Sequence, residues 1–135
     1  MRILLVDDDP RFGRQTVGFL RAAGLDASFH RGPTGTLGAV LASRCEVVVI
    51  NIDMPKVNGG LLVRMLRDAF GLGRSRVILC SDMAPNALAG LAEDLQVTAV
   101  PKSAGPEVLV EHVRRALPLP TAAAPKPRAR RSIRS

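Results

Sequence analysis

The sequence predicts a single α/β domain, a doubly wound five-stranded parallel sheet in the order 2-1-3-4-5 with helices on both faces. Three observations predict it. Four short apolar runs rich in Val, Ile and Leu and one weaker alternating stretch lie between longer stretches with helical spacing, and in one chain that alternation implies parallel strands joined by right-handed crossovers. The run Val47-Val48-Val49-Ile50 lacks any in–out alternation, as a strand buried on both faces does. Polarity returns abruptly at the end of each run, and the carboxyl ends of such strands border the crevice where open α/β sheets bind ligands.

Each element has its own signal. Residues 2–6 form an apolar run that ends in Asp7-Asp8-Asp9. Pro10 can open a helix, whose face would be Phe12, Thr16, Phe19, Leu20 and Ala23 and whose stop would be Gly24. In residues 26–30, Ala27 and Phe29 alternate with Ser28 and His30, as in an edge strand. A second helix is expected over 33–44, with Pro33 near its start and Leu37, Val40 and Leu41 inward. The third strand, 47–50, leads through a loop carrying Asn51, Asp53, Met54, Pro55 and Asn58 to Gly59-Gly60. The helix that opens there should bury Leu61, Leu62, Met65, Leu66 and Ala69 and stop near Gly71 and Gly73. Strand four, 76–80, ends in Ser81-Asp82. Helix four, about 84–94, buries Leu88, Leu91 and Ala92. Strand five, 97–100, ends in Pro101-Lys102, and helix five begins at Pro106 with Leu109, Val110, Val113, Ala116 and Leu117 inward, until Pro118 and Pro120 end it.

Composition narrows the function classes. A chain of 135 residues can bury roughly 70% of its unfolded surface without staples, so residues 1–117 read as one domain. Residues 118–135, PLPTAAAPKPRARRSIRS, read as a disordered tail or linker that cannot order itself alone. The net charge of +7 divides unevenly, because the tail holds five basic residues and no acid while the body is nearly balanced. Weak, salt-sensitive nucleic-acid contact through the tail is therefore an alternative reading, though no nucleic-acid-reading motif is present. No apolar run approaches the ~18 residues of a membrane span, and the start of the chain meets three aspartates before it could form a signal core. A cytoplasmic protein without membrane attachment is expected. Cys45 and Cys80 flank or lie in apolar runs and read as reduced, buried thiols. His30 and His112 lack a second ligand at metal spacing, and the phosphate-cradling patterns GxxxxGKS and GxGxxG are absent.

The fold would bring Asp7 and Asp8, Asn51, Ser81 and Lys102 to one rim. These motifs, ILLVDDDP at 3–10, the apolar strand followed by xxMPxxxG at 51–59, the strand-ending hydroxyl of Ser81 and Lys102 after strand five, resemble the receiver domain of bacterial two-component response regulators, over residues 1 to about 117. The resemblance implies a phosphoryl group accepted by an aspartate four residues before the Met-Pro proline. It also implies Mg²⁺ held by the acidic pair, by that aspartate and by a backbone carbonyl two residues on. A carboxylate can attack phosphorus to form an acyl phosphate, and a cation neutralises the phosphoryl oxygens as charge shifts.

Counting back four from Pro55 lands on Asn51, and an amide has no oxyanion to attack with. By the resemblance, the metal ligands would be Asp8, Asn51 and the backbone carbonyl of Asp53, a set weakened by the lost charge; no cofactor is required. Further departures accompany this one. Ser103 stands where the family has a cis proline after the lysine, and a cis bond to serine would cost ~3 kcal/mol, so a trans peptide is expected and the aim of Lys102 is left open. Ala99 occupies the family's aromatic switch position. Asp82 places a negative charge beside the phosphoryl pocket.

The reading is therefore a receiver-like protein-interaction module, without enzymatic activity and independent of phosphorylation. Its partner would dock on the face of helix four, strand five and helix five, where Ala87, Ala89 and Gly90 offer small side chains, and a homodimer is compatible with the reading. The alternative is a working phosphoacceptor regulator, with Asp53 as acceptor or with Asn51 an engineered replacement.

Overall fold

The computed structural model describes residues 2–51, 59–70 and 76–117. Five strands, β1 (Arg2–Asp7), β2 (Asp26–Arg31), β3 (Val47–Asn51), β4 (Val77–Ser81) and β5 (Thr98–Pro101), alternate with five helices. The helices are α1 (Pro10–Ala22), α2 (Thr36–Ser43), α3 (Gly59–Phe70), α4 (Pro85–Leu95) and α5 (Pro106–Ala116), the last preceded by a short 3₁₀ turn at Lys102–Ala104. All four strand pairs are parallel and the order is β2-β1-β3-β4-β5. The five-stranded doubly wound sheet expected from the sequence is thus the fold.

The sheet divides its strand residues by parity. Ile3, Leu5, Val47, Val49, Ile78, Cys80 and Val100 pack on one face with Val17 and Leu20 of α1 and Leu109 and Val113 of α5. Leu4, Val6, Val48, Ile50, Val77 and Leu79 pack on the other with Val40, Val63, Leu66, Leu88 and Leu95 from α2, α3 and α4. Successive side chains of a strand point to opposite faces, which is why the runs carry no polar alternation.

The register sets the rim. Val6 pairs with Ile50, Asn51 with Cys80 and Ser81 with Pro101, so Asp7, Asn51 and Ser81 end their strands at nearly the same level and Lys102 follows β5 directly. Past β1 the chain turns at once into α1. Asp9 caps that helix, its Oδ1 accepting from the backbone N–H groups of Arg11 at 3.0 Å and Phe12 at 3.4 Å, with Pro10 in the first turn.

Several inward faces differ from expectation. In α3 the buried row is Val63 and Leu66, with Leu62 half-buried, while Leu61 and Met65 are exposed. A sequence apolar at 61, 62, 63, 65 and 66 admits two stripes one residue, or about 100°, apart, and packing on the sheet selects the second. The side chain of Ala69, and Gly71 and Gly73, lie outside the described residues.

Helix α2 begins at Thr36 rather than 33, because Gly35 has φ +75°, outside right-handed helix geometry. Its eight residues bury Val40, and Leu41, a further 100° round, is exposed. On α1, Val17 is buried and Phe19 is not, remaining 44% exposed. Strand ends move by one residue: β2 extends to Arg31, β4 runs Val77–Ser81 and β5 Thr98–Pro101. The tail, residues 118–135, lies outside the described residues.

Candidate functional site at the carboxyl rim

Asp7 is the centre of the rim and is fully buried. Its Oδ1 accepts two hydrogen bonds, from Asn51 Nδ2 at 2.9 Å and from the backbone N–H of Asp9 at 2.9 Å. Its Oδ2 has no hydrogen-bond partner of good geometry but faces Lys102 Nζ at 3.2 Å, with the lysine side chain 13% exposed. A buried carboxylate needs a counter-charge and donors, and Asp7 takes them from β3, the β1–α1 turn and the segment after β5.

Asn51 reaches the second acid as well, its Nδ2 lying 3.4 Å from Asp8 Oδ1. The face of the amide turned to the aspartates is thus its donor side, the assignment that two carboxylate neighbours require. Desolvation pushes the Asp8 carboxyl above its ordinary value, helped by the neighbouring Asp7 carboxylate and opposed by Lys102.

The lysine is held from a second direction. Its ammonium sits 4.4 Å from the centroid of the Phe12 ring, within cation–π range. Phe12 was legible in the sequence only as a helix-face residue; its place in the first turn after Pro10, beside the rim, was the available signal. The Lys102–Ser103 peptide is trans, the cis bond among the described residues being Gly32–Pro33. The turn at Lys102–Ala104 nevertheless delivers the ammonium to Asp7.

The remaining rim residues take separate places. Ser81 is buried, and its Oγ accepts from the backbone N–H of Met83 at 2.8 Å. Asp82 beside it is exposed. Ala99 packs half-buried against the α2–α4 side of the core. Asp53 and the Met54-Pro55 loop lie outside the described residues. His30 Nε2 contacts Thr34 O at 2.7 Å and His112 Nδ1 contacts Val108 O at 2.9 Å, so both imidazoles serve local backbone.

A divalent cation does not fit at Asp7 as it stands. Mg²⁺ seeks carboxylate and water oxygens, whereas Asp7 presents one oxygen to two N–H donors and the other to an ammonium. Among the described residues no group of three or more His, Cys, Asp or Glu is arranged to hold a metal ion. An ion at Asp7 would have to displace both Asn51 and Lys102.

Fold and rim together define a class, the α/β signalling domains that place an acidic pair and a lysine at the carboxyl edge of a 2-1-3-4-5 sheet. The chain belongs to the response regulator receiver domain family, whose model matches residues 3–114. Over 71 residues it is 34% identical to the DNA-binding response regulator MtrA of Mycolicibacterium smegmatis, a match spanning 53% of this chain and 31% of that relative. The chain therefore matches about a third of that protein's length.

Among solved structures it resembles Vibrio cholerae chemotaxis protein CheY4, with TM-score 0.75 and 19% identity, covering 86% of this chain and 98% of that one. It also resembles the BeF₃-activated receiver domain of Klebsiella pneumoniae RstA, with TM-score 0.75 and 20% identity, covering 86% and 97%. A third is Thermotoga maritima TrrA in complex with Mg²⁺–BeF, with TM-score 0.73 and 22% identity, covering 86% and 98%. These likenesses concern the fold. No helix among the described residues is long and apolar enough to cross a membrane.

Proposed function

We propose that this receiver domain works in two-component signalling as a phosphorylation-independent protein-binding module in the cytoplasm, without catalysis and without a required Mg²⁺. The observation that carries the reading is the Asn51 amide, whose nitrogen donates to Asp7 at 2.9 Å and Asp8 at 3.4 Å. Phosphoryl acceptance needs an electron pair on a carboxylate at this strand tip, and the group here is an uncharged amide turned nitrogen-first towards the acids. With Lys102 facing Asp7 at 3.2 Å, the ammonium that would neutralise an entering phosphoryl group is already engaged.

Signal output would then depend on binding through the face formed by α4, β5 and α5. Ala87, Ala89 and Gly90 are exposed along α4, and small side chains let a partner's backbone approach closely. At the switch position Ala99, half-buried in the core, supplies no large ring to move between two states, in keeping with a face that holds one form.

The test is to incubate the protein with acetyl phosphate and Mg²⁺ and weigh it intact. The expected mass is unchanged. A labile gain of one phosphoryl group, on Asp53 or any other acid of the rim, would overturn the reading in favour of a working phosphoacceptor.

A further inference from the structure

We infer that the groove between α1 and α5 holds a binding site for a neutral one-ring aromatic bearing a hydroxyl, a simple phenol, seated on Phe12 and Phe19 with its oxygen at Thr16. The site follows from how α1 divides its apolar residues. Val17 and Leu20 go to the core, while the row Phe12, Thr16 and Phe19, at i, i+4 and i+7, lies to one side of that pair. This row borders a pocket of about 200 Å³, lined also by Cys80 of β4, Leu109 of α5 and Lys102. Phe19, 44% exposed, forms its mouth.

Thr16 is the residue that calls for a ligand. It is 5% exposed, yet its hydroxyl has no hydrogen-bond partner among the described residues. A threonine inside a helix commonly gives that bond to the carbonyl one turn back. Among the described residues the sealed side-chain oxygen without a hydrogen bond is Asp7 Oδ2, so the Thr16 oxygen is not sealed and opens on the pocket that the residue lines. A hydroxyl facing an apolar pocket costs free energy until something bonds to it, and it can both donate and accept.

Volume and lining select the ligand. An apolar cavity of about 150 Å³ takes up benzene, so about 200 Å³ holds one ring with a small substituent and not two rings. Phe12 and Phe19 favour a third ring over an aliphatic one, and the Cys80 sulfur adds a polarizable contact. Lys102 does not ask for an anion, because its ammonium already lies 3.2 Å from Asp7 Oδ2, and a charged ligand would enter beside that buried carboxylate. A neutral hydroxyl meets no such repulsion. The inference stands whether or not the rim accepts a phosphoryl group.

Phenol titrated into the full chain, followed by backbone-amide and methyl NMR, tests it. Saturable shifts at millimolar phenol are expected at Thr16, Cys80 and Leu109, with nuclear Overhauser contacts from the phenol ring to the Thr16 and Leu109 methyls. None is expected at Leu61 or Ala89, on helices that pack on the other face of the sheet. Cyclohexanol, of similar size but without the aromatic ring, should bind several-fold more weakly. Thr16→Val keeps nearly the same shape and removes the hydroxyl, so phenol should weaken several-fold while fluorobenzene binds as it does to the parent and reports the pocket intact. No saturation, contacts confined to the α2–α4 side, cyclohexanol binding as tightly as phenol, or an unaltered phenol-to-fluorobenzene ratio in the variant would each overturn the proposal.

Discussion

Lys102 Nζ lies 3.2 Å from Asp7 Oδ2 and 4.4 Å from the Phe12 ring centroid, so one ammonium closes the buried acid of β1 and seats α1 against the end of β5. Asp7 is wholly inaccessible to solvent. Removing one partner of such a pair leaves an uncompensated buried charge, whereas removing both leaves only a shape to fill. Lys102→Met should therefore lower stability by about 3–5 kcal/mol, a large part of the ~5–15 kcal/mol a domain has. The double variant Asp7→Asn/Lys102→Met should recover more than half of that loss in urea titrations. Equal losses in the single and double variants would remove the ion pair from the account.

How much of this was readable beforehand depends on whether backbone or packing decided it. The inner strands were legible because Val47–Ile50 and the runs of β1 and β4 carry no alternation, β2 because Ala27 and Phe29 do alternate, and the 2-1-3-4-5 solution brings Asp7, Asn51 and Ser81 to one level by register, with Lys102 just past β5. Helix faces were less so. In α3, Leu61 and Met65 form as plausible an apolar row as Val63 and Leu66, and only the sheet beneath distinguishes them. The aim of Lys102 was also illegible, since it depends on a short turn whose conformation Ser103 does not announce. Phe12's place in the first turn after Pro10 sets it beside the rim, but the sequence does not say that an ammonium rather than the core takes its ring.

Asn51→Asp addresses the same rim from the other side. The substitution exchanges an N–H donor to Asp7 at 2.9 Å for a third carboxylate beside Asp7 and Asp8. Losing a hydrogen bond to a buried charged group costs about 1.5–3 kcal/mol, and the added repulsion acts in the same direction. The variant is expected to unfold at lower temperature without metal and to be stabilised by millimolar Mg²⁺, while the parent's melting temperature stays unchanged on the same addition. A parent protein stabilised by Mg²⁺ as strongly as the variant would show that the amide does not exclude the ion.

A second tight contact sits where α1 crosses β2. A Cβ built on Gly13 would overlap the Phe29 ring, so the helix lies on the sheet edge at a distance only glycine allows. In an exposed helix Gly→Ala gains up to about 1 kcal/mol, but here overpacking of about 1–3 kcal/mol opposes it. Gly13→Ala should be net destabilising, and Gly13→Ala/Phe29→Leu should regain stability relative to it. If Gly13→Ala raised the unfolding midpoint, α1 would have to sit further from the sheet than it does.

Cys80, buried in β4 beneath the α1–α5 groove, gives a prediction in pH. Burial pushes its thiol from 9.0 up to about 11, with Lys102 opposing the rise. The unfolded chain therefore surrenders this proton near pH 9 while the folded chain keeps it until about pH 11. In that window the folded state holds more protons, so stability falls as pH rises, by up to about 1.4 kcal/mol per unit from this group. Below the window its contribution is fully present. Urea titrations at pH 8 and pH 10 should show a steeper loss for the parent than for Cys80→Ala, with Cys45 common to both. At pH 8 roughly one Cys80 in a thousand is thiolate, so iodoacetamide should leave it unmodified in the native protein and alkylate it fully in denaturant. Matching alkaline losses in parent and variant, or prompt native alkylation of Cys80, would mean that this strand opens to solvent far more readily than its packing allows.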